Sequence, residues 1–579
     1  MLVDGKMMNK LNLFFHLIAC IVIYIVTLYF LKDNTSLKIV GDEFGYWAAG
    51  AFFSGLDWSE VASINSYYNY GYGLILMLLL KLNMNATFTY QLAIVVNAIM
   101  LNLVYVLIFR LLNKYVNNIP TIVKIIISLA LTLSAGNICF AQYTMPEVVC
   151  VLLYWSIVYL MYSILEKFEY YKLILLTVAI GLCFTIHLRL IGIVFVQVLF
   201  LVYVVRKERI DVKRCVGVVA LFVLMILFVF LLKEYYQQDY LMNEYINIQG
   251  LNDFSGQLGK IKRIFTLEGV RMLFDSFMGK FFYACSISFL FLLDAIWQVF
   301  ACLKRTIATK KIEKSDVFLV FLLLNVIAMI MVGSIFMMSS GARFDMQIYG
   351  RYFEFTLGPL VLVALTTYLK DGNSLKRLPI VVGVYFLLGK YIHNTIPYEA
   401  SRANVFINCS GIADILIDNG NDIMDVVVRI VIIYGILCFL LNVKSRRRYQ
   451  LVAVGMVMLI IYSVNSAYTT YSQGCLSWAS GQTENEERLA TNIRNLGIQD
   501  DLCYYASEPT ISDHIKIDYM QFLLKETPIR CIYNPEQIQE LDKGKYLLTV
   551  KGTKVFDEEF ITGFTKVHES DTLTLWQVQ

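Results

Sequence analysis

The chain has 579 residues, 58% of them hydrophobic and only 16% charged, with a formal net charge of +4. Soluble domains carry about 25% charged residues, so this composition excludes an ordinary soluble enzyme and places most of the chain in a bilayer. The small positive balance does not argue for a nucleic-acid partner, because the lysines and arginines are used to orient the chain across the membrane.

Apolar runs recur along the sequence, and about 20 such residues cross roughly 30 Å of hydrocarbon. The first, 11–31, is too long for a signal-peptide core and lacks a small-residue cleavage site, so it reads as a retained span. Further spans are expected at 86–112, 120–136, 147–165, 172–187, 190–205, 215–233, 281–303, 315–338, 353–369, 377–392, 427–443 and 450–467. Basic clusters such as 206–214, 304–314 and 444–448 alternate with these runs so that all can lie on one side. The expected fold is therefore an all-α polytopic membrane protein with about 13 transmembrane helices. Its N-terminus is cytoplasmic and its C-terminus extracytoplasmic. The fifth and sixth spans form a nearly continuous apolar stretch that only His187–Leu188–Arg189 interrupts.

The first long outer loop, 32–85, opens with "GDEFGYWAAGAFFSG", which puts two adjacent carboxylates, Asp42 and Glu43, beyond the first span. From Glu43, the apolar residues Phe44, Trp47, Ala48, Ala51 and Phe52 follow helical spacing, as one face of a short helix at the membrane interface. Asp42 at the N-cap and Glu43 in the first turn would then do no more than satisfy free amides and the helix dipole, worth about 1 kcal/mol. The same loop continues through "SYYNYGYG", with Tyr67 and Tyr68, into a second short apolar helix.

Three more polar clusters fall on the same expected face. Glu147 follows Pro146 at the start of the fourth span; His187 and Arg189 sit at the outer end of the fifth. Arg343, Asp345, Arg351 and Tyr352 lie at the mouth of the tenth. Ionisable groups at membrane depth are expensive and usually face a cavity or the bundle interior. Each alone has a plain explanation, such as Arg351 snorkelling to headgroups, but four clusters on one face point to chemistry there.

After about residue 470 the composition changes. Helix-like stretches alternate with strand-like "LCYYAS", "IRCIYN", "KYLLTV" and "TLTLWQV", so 471–579 is expected to be a small extracytoplasmic α/β domain. Gly497 is a C-terminal stop for a helix through "ENEERLATNIRNLG". The twelve cysteines form no framework, although Cys503 and Cys531 share this domain and could pair.

The order of "DEFGYWAAG", "YYNYGYGLILMLLLKL", "MPE", "HLRLIG" and "GRYFEFTLGP" resembles the GT-C superfamily of integral-membrane glycosyltransferases. The nearest branch is that of the bacterial protein O-mannosyltransferases and aminoarabinose transferases. Residues 1–470 would form the GT-C-like catalytic domain. The resemblance implies an inverting transferase that takes a sugar from a polyprenyl-phosphate donor to an acceptor hydroxyl on a glycan, protein or lipid. It implies Asp42 as general base, with Glu43 as second candidate. Glu147, His187, Arg189, Arg343, Arg351, Tyr352, Tyr67 and Tyr68 would bind substrate. No cofactor is required by the sequence; relatives in which a divalent metal sits near such carboxylates leave that ion open. The short inner loops leave no room for a nucleotide-sugar domain. Two other classes fit polytopic chains. A polysaccharide polymerase or ligase would have its key arginines in the long loops, and a transporter would carry ionisable groups at mid-span with inverted repeats.

Overall fold

The apolar runs form helices because lipid offers no partner for free backbone amides and carbonyls. The computed structural model describes residues 5–63, 68–82, 84–116, 118–240, 255–338, 343–371, 374–396, 404–417, 422–443, 447–498, 502–505, 511–551 and 563–579. In chain order the helices are α1 (Gly5–Thr27), α2 (Val40–Ser54), α3 (Ser59–Ser63), α4 (Tyr70–Leu80), α5 (Ala86–Tyr115), α6 (Thr121–Thr132), α7 (Ala135–Phe140), α8 (Glu147–Glu166), α9 (Tyr170–Ile186), α10 (Ile191–Glu208) and α11 (Val212–Tyr240). There follow α12 (Ser255–Arg263), α13 (Leu267–Ile287), α14 (Phe291–Thr309), α15 (Lys314–Phe336), α16 (Phe344–Gln347), α17 (Leu357–Asp371), α18 (Ser374–Thr395), α19 (Val405–Asn408), α20 (Ala413–Ile417), α21 (Ile423–Asn442) and α22 (Arg448–Thr469). The C-terminal unit adds α23 (Ser477–Asn495), α24 (Ile511–Leu523) and α25 (Pro535–Gln539).

Helices occupy every expected span position. Among the described residues, eight are long and apolar enough to cross a membrane, or nine if α13 and α14 are one bent span. Helices at 121–132, 170–186 and 354–369 are apolar but shorter. The eighth expected span, 281–303, runs across a break: α13 and α14 meet at 101°, with Phe289 and Leu290 in left-handed backbone at φ 46° and 61°. No glycine or proline marks this turn, so hydropathy reads straight through it. The stretch interrupted by His187 does divide, with α9 ending at Ile186 and α10 starting at Ile191.

α22 continues through a π-helical turn, Thr470–Leu476, directly into α23. Gly497 ends that helix at φ 71°, as expected of a C-terminal glycine. Beyond it lie β1 (Leu502–Tyr505), β2 (Ile529–Ile532), β3 (Tyr546–Val550), β4 (Phe564–Glu569) and β5 (Leu573–Val578), in sheet order β2-β1-β3-β5-β4. β2, β1 and β3 are parallel, with α24 in the crossover, while β3, β5 and β4 are antiparallel. Cys503 pairs in register with Arg530, and Cys531 with Tyr504. Successive residues of a strand face opposite sides, so the two cysteines lie on opposite faces of the sheet, unbonded.

Candidate active site

α2 begins at Val40, capped by neither Asp42 nor Glu43; both lie in its first turn. Nor does the helix lie in the interface on one apolar face. Phe44, Tyr46, Trp47, Ala48, Ala49 and Ala51 are all buried, because α4 packs on one side and α24 on another. The small residues of the motif make this possible. A Cβ on Gly73 would stand 2.7 Å from Ala49 Cβ, and one on Gly45 would stand 2.0 Å from the Tyr68 ring.

Asp42 and Glu43 are neighbours on α2, about 100° apart around its axis, and they enter different surroundings. Asp42 Oδ2 takes a hydrogen bond from Arg351 Nη1 at 2.6 Å, and Asp42 Oδ1 takes one from the Tyr68 hydroxyl at 2.6 Å. Arg351 donates Nε to Glu147 Oε1 at 2.7 Å and Nη2 to Met145 Sδ at 3.1 Å. Arg189 Nη2 reaches the same Glu147 oxygen at 2.9 Å. Two arginines and two carboxylates from four segments distant in sequence thus form one electrically balanced nest. Glu147, Arg189 and Arg351 are buried, whereas the Asp42 side chain is 31% exposed and is the member that faces outward. Among the described residues, Glu147 Oε2 and Arg189 Nε have no hydrogen-bond partner.

Aromatic and imidazole groups line the nest. The Arg189 guanidinium lies 4.8 Å over the Tyr352 ring, and Tyr349 meets that ring edge-on at 4.8 Å. His187 is 5.9 Å from Tyr352 and accepts the Arg189 backbone N–H on Nδ1 at 3.2 Å. With Nδ1 taken up as an acceptor, the ring N–H is left to Nε2.

Glu43 does not join the nest. It is fully buried and accepts from Lys38 N at 2.9 Å and from Thr144 N and the Tyr90 hydroxyl at 3.0 Å. Burial pushes its carboxyl up to about 7, and these three donors offset that only in part. Its geometry is that of a staple between α2 and the loop before α8. Arg343 also stands apart. It pairs with Asp345, Nε to Oδ1 at 3.0 Å, and Asp345 is held in turn by Asn408 at 2.7 Å. Tyr67 lies outside the described residues.

Sequence reasoning missed Met145, Tyr46, Tyr90 and Thr144. Glycine at 45 was the one available signal, since its missing Cβ admits the Tyr68 ring to Asp42. Among the described residues, no three His, Cys, Asp or Glu side chains converge on a metal site. The carboxylates of the nest, Asp42 and Glu147, face arginines, a donor set that does not fit a divalent ion.

Fold and nest together define a class: a multi-pass helical membrane protein with ionisable groups gathered at one end of its helices. Within it, the chain has the ArnT-like fold. Crystal structures of ArnT from Cupriavidus metallidurans, in the apo state and bound to undecaprenyl phosphate, superimpose with TM-scores of 0.52 and 0.54. Sequence identity is 13% in both, over 98% of each chain. No protein-family model and no curated protein matches the sequence.

Proposed function

We propose that this protein is a membrane glycosyltransferase that moves a sugar from a polyprenyl-phosphate carrier to an acceptor hydroxyl at the outer face of the membrane. The observation that carries the reading is the Asp42–Arg351–Glu147–Arg189 nest, which offers cations for a lipid phosphate and a part-exposed carboxylate beside them. The fold shared with an ArnT that binds undecaprenyl phosphate supports the same donor class.

In this account Glu147 holds both guanidiniums in place while the donor phosphate competes with Asp42 for Arg351 Nη1. Charge-assisted contacts of this kind contribute about 1.5–3 kcal/mol each, so exchanging one for another is close to balanced. Once released, Asp42 keeps its Tyr68 hydrogen bond and stays oriented. It accepts the proton of the acceptor hydroxyl as that oxygen attacks the anomeric carbon. The bond from that carbon to the phosphate oxygen breaks with inversion, and the phosphate leaves with its charge met by Arg351 and Arg189. General-base action of this kind is worth roughly 10²–10⁴-fold in rate. His187 Nε2–H and the Tyr352 face supply a donor and a stacking surface for the sugar. The basic clusters support a cytoplasmic N-terminus and an extracytoplasmic C-terminus.

Purified protein supplied with a polyprenyl-phosphate sugar should transfer it to an envelope acceptor and should ignore nucleotide sugars. Turnover with a nucleotide sugar in lipid-free detergent would overturn the reading.

A further inference from the structure

Phe522 belongs to the last turn of α24, in the C-terminal unit, yet its ring is buried against the first outer loop. Its centroid lies 5.1 Å from Trp47, 6.2 Å from Tyr90 and 6.4 Å from Trp58. All three lead to the acidic turn. Trp47 is on α2 and donates Nε1 to Thr144 Oγ1 at 2.9 Å. Tyr90 and the Thr144 amide both bond Glu43 Oε1. Trp58 stacks on Phe44 at 5.6 Å, with the rings 9° from parallel.

Two polar ties close the same seam. Trp58 Nε1 donates to the Lys525 carbonyl at 2.8 Å, and Glu60 accepts the Cys531 amide at 2.6 Å. The loop that carries Thr144 is the one that ends in Met145 and Glu147, both of which hold Arg351. One ring from the C-terminal unit therefore braces the turn that presents Asp42 and the loop that presents Glu147.

We infer that Phe522 is a positioning residue, through which the C-terminal unit keeps Asp42 and Glu147 in register with Arg351. Its catalytic consequence rests on the function proposed above; the mechanical coupling does not. A buried ring wedged among three others sets the height of α2 by contact. A misplacement of about 1 Å far from the chemistry can cost roughly 10²-fold in rate.

The test uses the full-length protein in nanodiscs, as Phe522→Ala and Phe522→Leu, with amide hydrogen exchange measured alongside sugar transfer. Phe522→Ala should speed exchange within 40–54 and 142–147 while leaving β1–β5 and the spans unchanged. Turnover should fall about 10–100-fold with donor KM nearly constant, and Phe522→Leu should restore most of both. Unchanged exchange in those two segments would overturn the coupling, and so would faster exchange throughout the protein, the mark of plain destabilisation. Faster exchange confined to the two segments with undiminished turnover would refute the catalytic consequence. If wild type transfers no sugar, the proposed function fails while exchange still decides the coupling. Should the alanine variant not accumulate, Trp58→Phe, which loses the bond to Lys525 and part of the ring that meets Phe522, must give the same localised pattern in milder form.

Discussion

Asp42 and Glu43 are adjacent in sequence and belong to two regions built on opposite rules. The arginine nest around Asp42 is polar and balanced in charge, with one carboxylate open to the outside. The hub around Glu43 is aromatic and closed, and its single carboxylate is satisfied by three donors rather than by a cation. A carboxylate held by arginine beside exposed space can trade its partner for a ligand; one sealed among rings can only hold loops together. The difference teaches that acidity alone does not mark a base. What marks it is a partner that a substrate can replace.

The sharpest way to break this contrast is Asp42→Asn. Because Asp42 does not cap α2, the amide should fold normally and accumulate as wild type, with transfer reduced about 10²-fold or more. Gly45→Ala follows in size. The new methyl would occupy the Tyr68 ring position, pull the hydroxyl off Asp42 and slow transfer roughly tenfold, with a normal elution profile as the check on folding.

Glu43→Gln should act on stability more than on rate, costing about 1–3 kcal/mol because one carboxylate oxygen becomes an NH2 that faces a buried donor. Its pH signature has a definite sign. The folded carboxyl titrates at about 7 against an ordinary value of 4.5, so folding takes up a proton. The stability this contributes is complete below the ordinary value and is lost as pH rises through about 7. Thermal unfolding of wild type should therefore weaken across that window, and Glu43→Gln should flatten the trend. Smallest of all, Arg343→Gln should leave transfer within about threefold of wild type, since its partner Asp345 keeps Asn408 and the pair lies apart from the nest. A large loss there would extend the site to the 343–345 pair.

Much of this was legible in the sequence. Long apolar runs gave the helices, and the break at His187 was visible because two polar residues interrupt the run. The turn at Phe289–Leu290 was not, since it is built wholly from apolar residues. β4 escaped because "FTKVHE" is a mostly part-exposed edge strand with no strong apolar alternation. The gathering of Asp42, Glu147, Arg189 and Arg351 followed from their places at one end of the spans, but their pairing did not. Whether Asp42 or Glu43 faces the arginines depends on the rotation of α2, and that is set by Gly45, Gly73 and Phe522, tertiary contacts that no local pattern encodes.

The central claim is that Arg351 is held by Asp42 at rest and surrendered to a lipid phosphate during the reaction. It is tested most directly by measuring undecaprenyl phosphate affinity, without any acceptor, for wild type, Asp42→Asn and Arg351→Lys. The account predicts that Asp42→Asn binds at least as tightly as wild type, because its rival for Arg351 has lost its charge, while Arg351→Lys, without the two-pronged donor, binds about tenfold more weakly, a difference of ~1.4 kcal/mol. Weaker binding by Asp42→Asn, with Arg351→Lys unchanged, would contradict it.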